Sequence, residues 1–452
     1  MAGKLFGTDG VRGAAGGLIT AELALALGQS AVRLLGTERP QVLIVRDTRE
    51  SGEMLEAAMA AGITSAGGDA LLGGVLPTPA APLLIKRYGF DMAVVLSASH
   101  NPFQDNGIKF FAGDGYKLSD DTEHEIEREL EAALAPGGGS ANADGNGRKG
   151  PPTFGRVRVL RGADEDYLRE LHTRFGNLDL TGLDVVLDCA NGAAYRVAPE
   201  IFRRLGARPT VVADVPDGRN INAACGSTHI AALGEIVKAG GHSIGFAFDG
   251  DADRILAVDR AGAMVDGDEL LALTALHMRD SGALSGGGVV VTVMTNYGFH
   301  SAMERAGVAV AITQVGDRYV LEELRERGWV LGGEQSGHLL DLSFNQTGDG
   351  VAGALLTLEA LAGKDLSERD AMRKLPQRLV NVRVRDREEL ERSQEVEQAV
   401  AVAAEQLTGR GRVLVRASGT EPLVRVMVEA PTEEEAEAVC AGLVADVERE
   451  LG

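Results

Sequence analysis

A run of five apolar residues, Met92–Leu96, passes directly into a polar segment, 97–102, that ends at Pro102. The apolar run predicts a buried strand, and the proline predicts that the polar segment is a turn beyond the carboxyl end of that strand. Open α/β sheets bind their ligands at the carboxyl ends of strands. Ser99, within this segment, is therefore the first candidate for a functional residue, although serine and asparagine are also ordinary turn residues.

The same pattern, an apolar strand followed by a polar loop, recurs along the chain. An apolar run over 42–45 precedes a helical pattern over 54–66, and this alternation predicts parallel βαβ units. Later strands of the same form are predicted at 185–187, 244–248 and 289–293. Beyond residue 380 the order of elements changes, which indicates a smaller α+β domain. Its predicted elements are a strand at 382–384, a helix at 388–407, strands at 413–415 and 423–428, and a helix at 433–451.

Length, composition and charge limit the classes of protein to which the chain can belong. Its 452 residues are too many for one core, and no apolar run approaches the length of a membrane span. The amino-terminal residues lack the apolar core of a signal peptide, so we expect a cytoplasmic protein without a membrane partner. The net charge of −21 disfavours non-specific nucleic-acid binding. Three cysteines far apart in sequence indicate reduced thiols rather than a disulfide framework or a zinc ribbon.

Three aspartates at alternate positions, Asp249, Asp251 and Asp253, follow one of the predicted strands. Carboxylates this close repel each other unless a cation neutralises them, and an all-oxygen site that leaves room for a phosphate oxygen suits octahedral Mg²⁺. An EF-hand calcium loop would need glycine and glutamate where this chain has Arg254 and Arg260. The pattern therefore predicts a magnesium site and not a calcium loop.

Two further turns carry groups that suit a sugar phosphate. The turn between the last two predicted strands concentrates hydroxyl groups, a glycine and guanidinium groups, which together can hold a phosphate. Its candidate residues are Arg416, Ser418, Gly419, Thr420 and Arg425. In the loop 332–338, Glu334 and Ser336 would face the same way if the loop is extended, and they could then bind neighbouring sugar hydroxyls. Both turns are also compatible with a structural role.

Ser99 could instead be the nucleophile of a hydrolase. No Gly-x-Ser-x-Gly elbow surrounds it, and His100 would point away from it if the segment stays extended. A serine accompanied by a metal loop and a phosphate turn fits phosphoryl transfer better, since that chemistry depends on charge neutralisation and in-line positioning. We therefore infer that Ser99 carries a phosphoryl group. Arg12 and Lys109, on two other polar segments, could be active-site charges or surface charges.

Five ordered motifs resemble the α-D-phosphohexomutase superfamily over nearly the whole chain. They are Gly7-Thr8-Asp9-Gly10-Val11-Arg12-Gly13, Ser97-Ala98-Ser99-His100-Asn101-Pro102, Asp249-Gly250-Asp251-Ala252-Asp253-Arg254, Gly333-Glu334-Gln335-Ser336-Gly337-His338 and Arg416-Ala417-Ser418-Gly419-Thr420-Glu421-Pro422. Segments 188–193, 220–229 and 315–320 resemble the branch of the superfamily that acts on amino-sugar phosphates. The chain departs from the family pattern at Asn345-Gln346, where the resemblance leads us to expect a threonine.

The resemblance implies an α/β fold, with three related α/β domains of mixed sheets and a smaller carboxyl-terminal α+β domain around a central cleft. The implied domains are a phosphoserine domain at 1–152, a metal-binding domain at 153–256, a sugar-recognition domain at 257–372 and a phosphate-binding domain at 373–452.

The resemblance also implies a role for each candidate residue. The implied catalytic residues are Ser99, Arg12, Lys109 and His338, and the implied ligands of one Mg²⁺ are phosphorylated Ser99, Asp249, Asp251 and Asp253. Whether Lys109 or His338 moves the proton of the sugar hydroxyl is left open by the sequence. The implied substrate-binding residues are Glu334, Ser336, Arg254, Arg416, Ser418, Gly419, Thr420 and Arg425.

The implied activity is the reversible conversion of glucosamine 6-phosphate to glucosamine 1-phosphate, on the route to UDP-N-acetylglucosamine and peptidoglycan precursors. It would proceed through a sugar 1,6-bisphosphate, which also primes the enzyme. The alternatives are a mutase for glucose or mannose phosphates, a non-catalytic sugar-phosphate sensor and a Mg²⁺-dependent phosphatase. The implied partner is thus a small amino-sugar phosphate, and a homodimer is compatible with the sequence.

Overall fold

A computed structural model of the chain describes residues 5–7, 9–134, 153–418 and 422–452. The chain divides into two compact units. The larger unit comprises Met1–Val293 and Ala311–Arg369, and the smaller unit comprises Met294–Val310 and Asp370–Gly452. Among the described residues, no helix combines the length and the apolar character that crossing a membrane requires.

The first sheet of the larger unit contains the strand that leads to Ser99. Its strands are β1 (Val11–Ala14), β2 (Gln41–Arg46), β3 (Asp69–Val75), β4 (Met92–Leu96), β5 (Asp105–Ala112) and β6 (Val157–Val159). They lie in the order β1-β5-β4-β2-β3-β6, with antiparallel β1–β5 and β5–β4 pairs and parallel pairs elsewhere. Every residue of β4 is buried, as the continuous apolar run predicted.

The helices that accompany this sheet bury an extended apolar core. They are α1 (Ala21–Leu35), α2 (Ser51–Ser65), α3 (Ala80–Tyr88) and α4 (Asp120–Leu134). Leu27 of α1, Met59 of α2 and Val94 of β4 belong to one buried cluster. A Cβ on Gly62 of α2 would overlap the backbone of Leu25 in α1, so glycine permits the close approach of these two helices. This packing supports the end of β4 at which Ser99 lies.

The second and third sheets of the larger unit carry the other predicted loops. The strands of the second sheet are β7 (Asp184–Asp188), β8 (Arg208–Val212), β9 (Ile244–Phe248), β10 (Ile255–Asp259) and β11 (Met264–Val265). Those of the third are β12 (Gly288–Thr292), β13 (Ala309–Thr313), β14 (Leu331–Gly333) and β15 (Leu339–Asp341). The first two residues of β13 belong to the smaller unit. Their orders are β11-β10-β9-β7-β8 and β13-β12-β14-β15. Both sheets combine parallel and antiparallel pairs, so the prediction of mixed sheets is confirmed.

Helices of the larger unit connect these strands. They are α5 (Ala163–Phe175), α6 (Val197–Arg204), α7 (Ile230–Gly240), α8 (Gly267–Asp280), α10 (Asp317–Arg327) and α11 (Gly350–Leu361). The intervening helix α9 (Tyr297–Ala306) belongs to the smaller unit. The first turn of α8 is fixed by a reciprocal capping box between Asp266 and Glu269.

The smaller unit is the predicted α+β structure, with one correction. Its antiparallel strands are β16 (Gln377–Arg383), β17 (Arg412–Ala417) and β18 (Leu423–Glu429), in the order β16-β18-β17, and its later helices are α12 (Gln394–Gln406) and α13 (Glu433–Leu451). The expected continuous helix over 388–407 is wrong, because Arg387–Arg392 forms a separate 3₁₀ helix. Ser393 is extended and its side chain accepts a hydrogen bond from Val396 N, which caps the start of α12.

Candidate active site

Ser99 lies just beyond the carboxyl end of β4, as the sequence predicted. Its φ of 51° falls in the left-handed region, so the segment turns instead of staying extended. The expectation that His100 points away from Ser99 is therefore wrong, and His100 Nδ1 lies 3.4 Å from Ser99 Oγ. The Ser99 hydroxyl donates a 2.5 Å hydrogen bond to Asp249 Oδ2. The candidate phosphoserine and the candidate metal loop thus meet in the structure.

The three aspartates of the metal loop follow β9 and are all buried. One carboxylate oxygen of each lies within 4.8 Å of the others. Ala252, with a φ of 55°, bends the loop so that Asp249, Asp251 and Asp253 converge. Burial, together with the negative charges of Asp253 and Asp251, raises the pKa of Asp249 well above its usual range. A cation at this point would remove the repulsion.

The hydrogen bonds of the triad leave oxygens available for such a cation. Asp251 Oδ2 accepts hydrogen bonds from Thr78 Oγ1 at 2.7 Å and from Lys109 Nζ at 2.8 Å. Within the described residues, Asp251 Oδ1 and Asp253 Oδ1 are buried without a hydrogen-bond partner. A buried carboxylate oxygen without a partner is costly, and oxygen donors suit a hard divalent cation. The three aspartates therefore fit a metal site.

Lys109, a predicted catalytic residue, is buried beside this triad. Its Nζ lies 3.1 Å from Asp9 Oδ2 and 3.6 Å from Asp253 Oδ2, in addition to its bond to Asp251. Burial lowers the pKa of Lys109, but the nearby charges of Asp251 and Asp9 outweigh it and raise that pKa overall. Lys109 therefore carries a positive charge in this environment.

His338 occupies the other side of the same network. Its Nδ1 lies 3.7 Å from Asp253 Oδ1, and its Nε2 lies 3.5 Å from Asp317 Oδ2. Burial lowers the pKa of His338, whereas the charge of Asp253 raises it, with a net increase. Lys117 forms ion pairs with both Asp9 and Asp317, which links His338 to the surroundings of Lys109.

Sequence reasoning missed three members of this network: Asp9, Lys117 and Asp317. Asp9 and Asp317 each lie within a segment that carried the family resemblance, so a signal for them was present. Lys117 lies outside those segments, and nothing in the sequence distinguishes it from a surface lysine. It is nevertheless held between two carboxylates.

Arg12 and Arg254 present guanidinium groups near the same charges. Arg12 forms an ion pair with Asp9, and the main-chain N–H of Arg254 donates to Asp249 Oδ1 at 3.2 Å. Among the described residues, the Nε atoms of Arg12 and Arg254 are buried and have no acceptor. Guanidinium donors without an acceptor are suited to phosphate oxygens.

The predicted sugar loop differs from its expected shape. Glu334 to Gly337 form a turn between β14 and β15, closed by a 2.9 Å hydrogen bond from Gly337 N to Glu334 O. Gly337, with a φ of 91°, allows this turn, so the expectation of an extended loop in which Glu334 and Ser336 face the same way is wrong. Glu334 is buried and its Oε1 accepts from Gly316 N at 3.0 Å, whereas Ser336 is exposed.

Asn345, in the Asn345-Gln346 segment that departs from the family pattern, is buried and hydrogen-bonded. Asn345 Nδ2 donates to Pro79 O at 3.0 Å and to Asp349 Oδ2 at 3.3 Å. Tyr167 donates its hydroxyl proton to Asp349 Oδ1 at 2.9 Å. Asn345 therefore takes part in a buried contact among α5, α11 and the loop before α3.

The predicted phosphate turn lies in the smaller unit. Arg416 of β17 and Arg425 of β18 are directly opposite each other in the antiparallel pair. Burial and the neighbouring charge of Arg425 lower the pKa of Arg416. The start of the turn is closed by a 2.8 Å hydrogen bond from Ser418 N to Leu423 O. The other two predicted residues, Gly419 and Thr420, lie outside the described residues.

Comparisons with known families match the chain in four consecutive segments. Each matching family is described as phosphoglucomutase/phosphomannomutase. The alpha/beta/alpha domains I, II and III match residues 3–136, 165–262 and 266–379, and the C-terminal domain matches 379–445. The prediction of three α/β domains followed by a different carboxyl-terminal domain is thus confirmed, while the boundaries at 152, 256 and 372 remain predictions.

Individual proteins resemble the chain along its length. The phosphoglucosamine mutase of Moorella thermoacetica is 52% identical over 446 residues, which cover 98% of each chain. The structure of a phosphoglucomutase/phosphomannomutase family protein from Burkholderia thailandensis covers 99% of this chain and 97% of its own, with a TM-score of 0.80 at 23% identity. Aspergillus fumigatus N-acetylphosphoglucosamine mutase, in complex with GlcNAc-6P and magnesium, has a TM-score of 0.68 at 19% identity and covers 98% of this chain and 95% of its own. The two structures show the same fold.

Proposed function

The chain belongs to the phosphoglucomutase/phosphomannomutase family, and we propose that it interconverts glucosamine 6-phosphate and glucosamine 1-phosphate. It is an isomerase that moves a phosphoryl group between two positions of a sugar. The choice of the amino sugar is supported by full-length relatives at about half identity that are named phosphoglucosamine mutase.

The hydrogen bond from Ser99 Oγ to Asp249 Oδ2 is the observation that carries this proposal. It joins a nucleophile at the end of β4 to a buried carboxylate triad that fits a divalent cation. A sensor that only binds sugar phosphates would need neither group. In a hydrolase triad the serine hydroxyl donates its hydrogen bond to a histidine base, whereas Ser99 Oγ donates at 2.5 Å to a metal-loop carboxylate and His100 Nδ1 lies farther away, at 3.4 Å.

In the proposed reaction, phosphorylated Ser99 transfers its phosphoryl group to the free hydroxyl of a sugar monophosphate. The bond from phosphorus to Ser99 Oγ breaks, a bond to the sugar oxygen forms, the sugar hydroxyl loses its proton and Ser99 Oγ regains one. The resulting 1,6-bisphosphate then returns its other phosphoryl group to Ser99 by the reverse chemistry. No phosphate is consumed and no water is added, which distinguishes the reaction from phosphatase activity.

The candidate residues of both units have separate tasks in this scheme. Bound at Asp249, Asp251 and Asp253, Mg²⁺ would neutralise negative charge on the transferring group. Arg12 and Arg254 donate through their Nε–H groups to its oxygens. The remaining roles are also proposals. Lys109 and His338 are the two candidates for the proton carrier, and Glu334 and Ser336 bind the sugar. The phosphate that is not being transferred is bound by Arg416, Ser418, Gly419, Thr420 and Arg425.

The test is turnover by the purified protein of glucosamine 6-phosphate, glucose 6-phosphate and mannose 6-phosphate, with Mg²⁺ and glucose 1,6-bisphosphate as primer. We expect the amino sugar to have the highest kcat/KM and free phosphate to stay at background. A preference for glucose or mannose phosphate would overturn the assignment of the sugar alone. Absence of turnover with all the sugars would overturn the mutase assignment, and stoichiometric release of phosphate would favour a phosphatase.

A further inference from the structure

Arg49 is completely buried, yet it does not reach the reacting oxygen of Ser99; it holds the backbone of the surrounding loop instead. Its Nη2 donates to the carbonyls of Ser99 and Asn101, each at 2.8 Å. Its Nη1 donates to the carbonyl of Asp105 at 2.9 Å and to that of Pro102. Carbonyl oxygens from both ends of the loop thus converge on one planar guanidinium group, whose donors have a fixed geometry.

Asp47 and Ser97 complete this arrangement on the other side of the Ser99 peptide. Arg49 Nε donates to Asp47 Oδ2 at 2.8 Å, and Ser97 Oγ donates to the same oxygen at 2.6 Å. Ser97 Oγ in turn accepts the main-chain N–H of Ser99 at 2.9 Å. Asp47, Arg49 and Ser97 are all inaccessible to solvent. The amide group of Ser99 is therefore fixed through Ser97 to a buried ion pair.

A fourth residue, Asn222, approaches the loop from the metal-binding side of the larger unit. Its Nδ2 donates to Ser99 O at 2.9 Å and to Asn101 O at 3.1 Å. Its own φ of 57° is held by a 2.9 Å hydrogen bond from its main-chain N–H to Ala190 O. Both polar groups of the Ser99 backbone are thereby bound, the carbonyl by two donors and the amide by one acceptor.

We propose that Asp47, Arg49, Ser97 and Asn222 form a clamp that positions Ser99 for phosphoryl transfer. A left-handed φ at a residue other than glycine persists only where the surroundings enforce it, and the clamp supplies that constraint. Its consequence is that Ser99 Oγ points to Asp249. In the proposed function, on which the kinetic part of this inference rests, Ser99 must give and receive a phosphoryl group while the sugar turns between the two transfers. A fixed Oγ keeps both transfers in line, so the clamp acts on kcat more than on KM.

Two substitutions loosen the clamp from different sides without touching a residue of the proposed catalytic or binding set. Ser97→Ala removes the acceptor for the Ser99 amide, and Asn222→Gly removes both Nδ2 hydrogen bonds while glycine tolerates the positive φ. Ser30→Ala is the matched control, because Ser30 is fully buried in α1 and its hydroxyl has no hydrogen-bond partner among the described residues. We expect Ser97→Ala and Asn222→Gly each to lower kcat by about 10–100-fold with KM changed by less than about twofold.

Amide hydrogen exchange of peptides that cover residues 96–106 provides a readout independent of turnover. We expect faster exchange there in both clamp variants, with exchange in the rest of the chain like that of Ser30→Ala. Unchanged kcat despite faster exchange would overturn the positioning role, as would losses of kcat no larger than that of Ser30→Ala. If the wild-type protein turns over no sugar phosphate, the proposed function fails; the exchange data then decide on the clamp, and unchanged exchange in both variants would overturn it.

Discussion

The charges around Ser99 in the larger unit are arranged differently from those at the phosphate turn of the smaller unit. Lys109 and Lys117 each lie between carboxylates, and Arg12 forms an ion pair with Asp9, so these positive charges of the Ser99 region have negative neighbours. Arg416 and Arg425 instead face each other across two strands, and neither forms an ion pair within the described residues. Like charges opposite each other destabilise a sheet.

This difference separates two tasks that a mutase must combine. Groups that stay in place throughout the reaction are compensated inside the protein, because a buried charge without a partner is costly. In the proposed function, Arg416 and Arg425 bind and release a phosphate, so their charges are left for the ligand and repel each other in its absence. Substitutions in the two regions should therefore have different effects. Those around Ser99 should affect chemistry and metal binding, and those at the phosphate turn should affect substrate affinity.

The largest effect is expected for Ser99→Ala. In the proposed function Ser99 Oγ carries the phosphoryl group, so we expect its removal to lower turnover on the order of 10⁴-fold or more. Incubation with labelled glucose 1,6-bisphosphate followed by intact-mass measurement should detect no phosphate on the variant. Ser30→Ala, in the core of the same domain, should be labelled as the wild type is. Phosphate on another residue of Ser99→Ala would contradict the assignment.

Asp251→Asn should weaken the metal site. Asp251 Oδ1 would be free to bind the proposed cation while Thr78 and Lys109 hold the other oxygen, and loss of a group of this kind lowers metal affinity by at least about 10–100-fold. The measurement is the rise in melting temperature on titration with Mg²⁺. In the wild type, Mg²⁺ at a concentration 100 times its Kd should raise the free energy of unfolding by about 2.7 kcal/mol. Asp121→Asn, an exposed change on α4, should leave that rise intact. An equal rise in the Asp251 variant would remove Asp251 from the metal site.

The sequence predicted those parts of the active site that follow continuous apolar strands. Residues 92–96 and 244–248 are buried strands, as their continuous apolar runs predicted, and Ser99 and the aspartate triad were identified as candidates because they are polar residues at the ends of such strands. The clamp and Lys117 were not found, because their roles depend on contacts between segments far apart in the chain. Asn222 lies 123 residues from Ser99, and in sequence it is one polar loop residue among many.

The local errors have local causes. Ser393 interrupts a helical pattern because its side chain satisfies the amide of Val396 better as a cap than within a helix. The turn that contains Glu334 depends on a positive φ at Gly337, which an alternating polar pattern does not reveal. Predictions from periodicity thus failed where a single side chain or a single glycine decided the backbone.

Arg425→Ala should affect substrate affinity rather than chemistry. Loss of one charged hydrogen-bond donor to a phosphate is worth roughly 1.5–3 kcal/mol, so we expect KM for glucosamine 6-phosphate to rise by about 10–100-fold with a smaller change in kcat. Removing one of two opposed charges should also raise the free energy of unfolding by about 0.2–1 kcal/mol. Arg383→Ala, an exposed change on the same sheet, should alter neither. An unchanged KM in the Arg425 variant would place the phosphate site elsewhere.

The last effect concerns stability alone and is expected at Asp349, which lies in the larger unit but, like Arg416, has no oppositely charged partner among the described residues. Burial raises its pKa from 3.8 to about 6, despite hydrogen bonds from Ala352 N and the Tyr167 hydroxyl. The folded state therefore binds the proton more tightly than the unfolded state. The resulting stabilisation is complete below pH 3.8 and is lost as the pH rises through about 6. Its size is about 2–3 kcal/mol, at about 1.4 kcal/mol for each unit of pKa.

Asp349→Asn isolates this contribution, because asparagine keeps the helix cap of α11 and does not titrate. Urea unfolding of both proteins from pH 4 to pH 7 should show the wild type losing about 2–3 kcal/mol relative to the variant. Asp365→Asn is a control of opposite sign. Burial raises the pKa of Asp365, but hydrogen bonds from Ser367 outweigh it and lower that pKa overall. The Asp365 carboxylate therefore stabilises the fold above its unfolded pKa, and this effect is lost as the pH falls. If the free energies of unfolding of the wild type and Asp349→Asn vary with pH in parallel, a positive charge close to Asp349 must stabilise its carboxylate. The contrast between paired and unpaired charges would then hold only for Arg416 and Arg425.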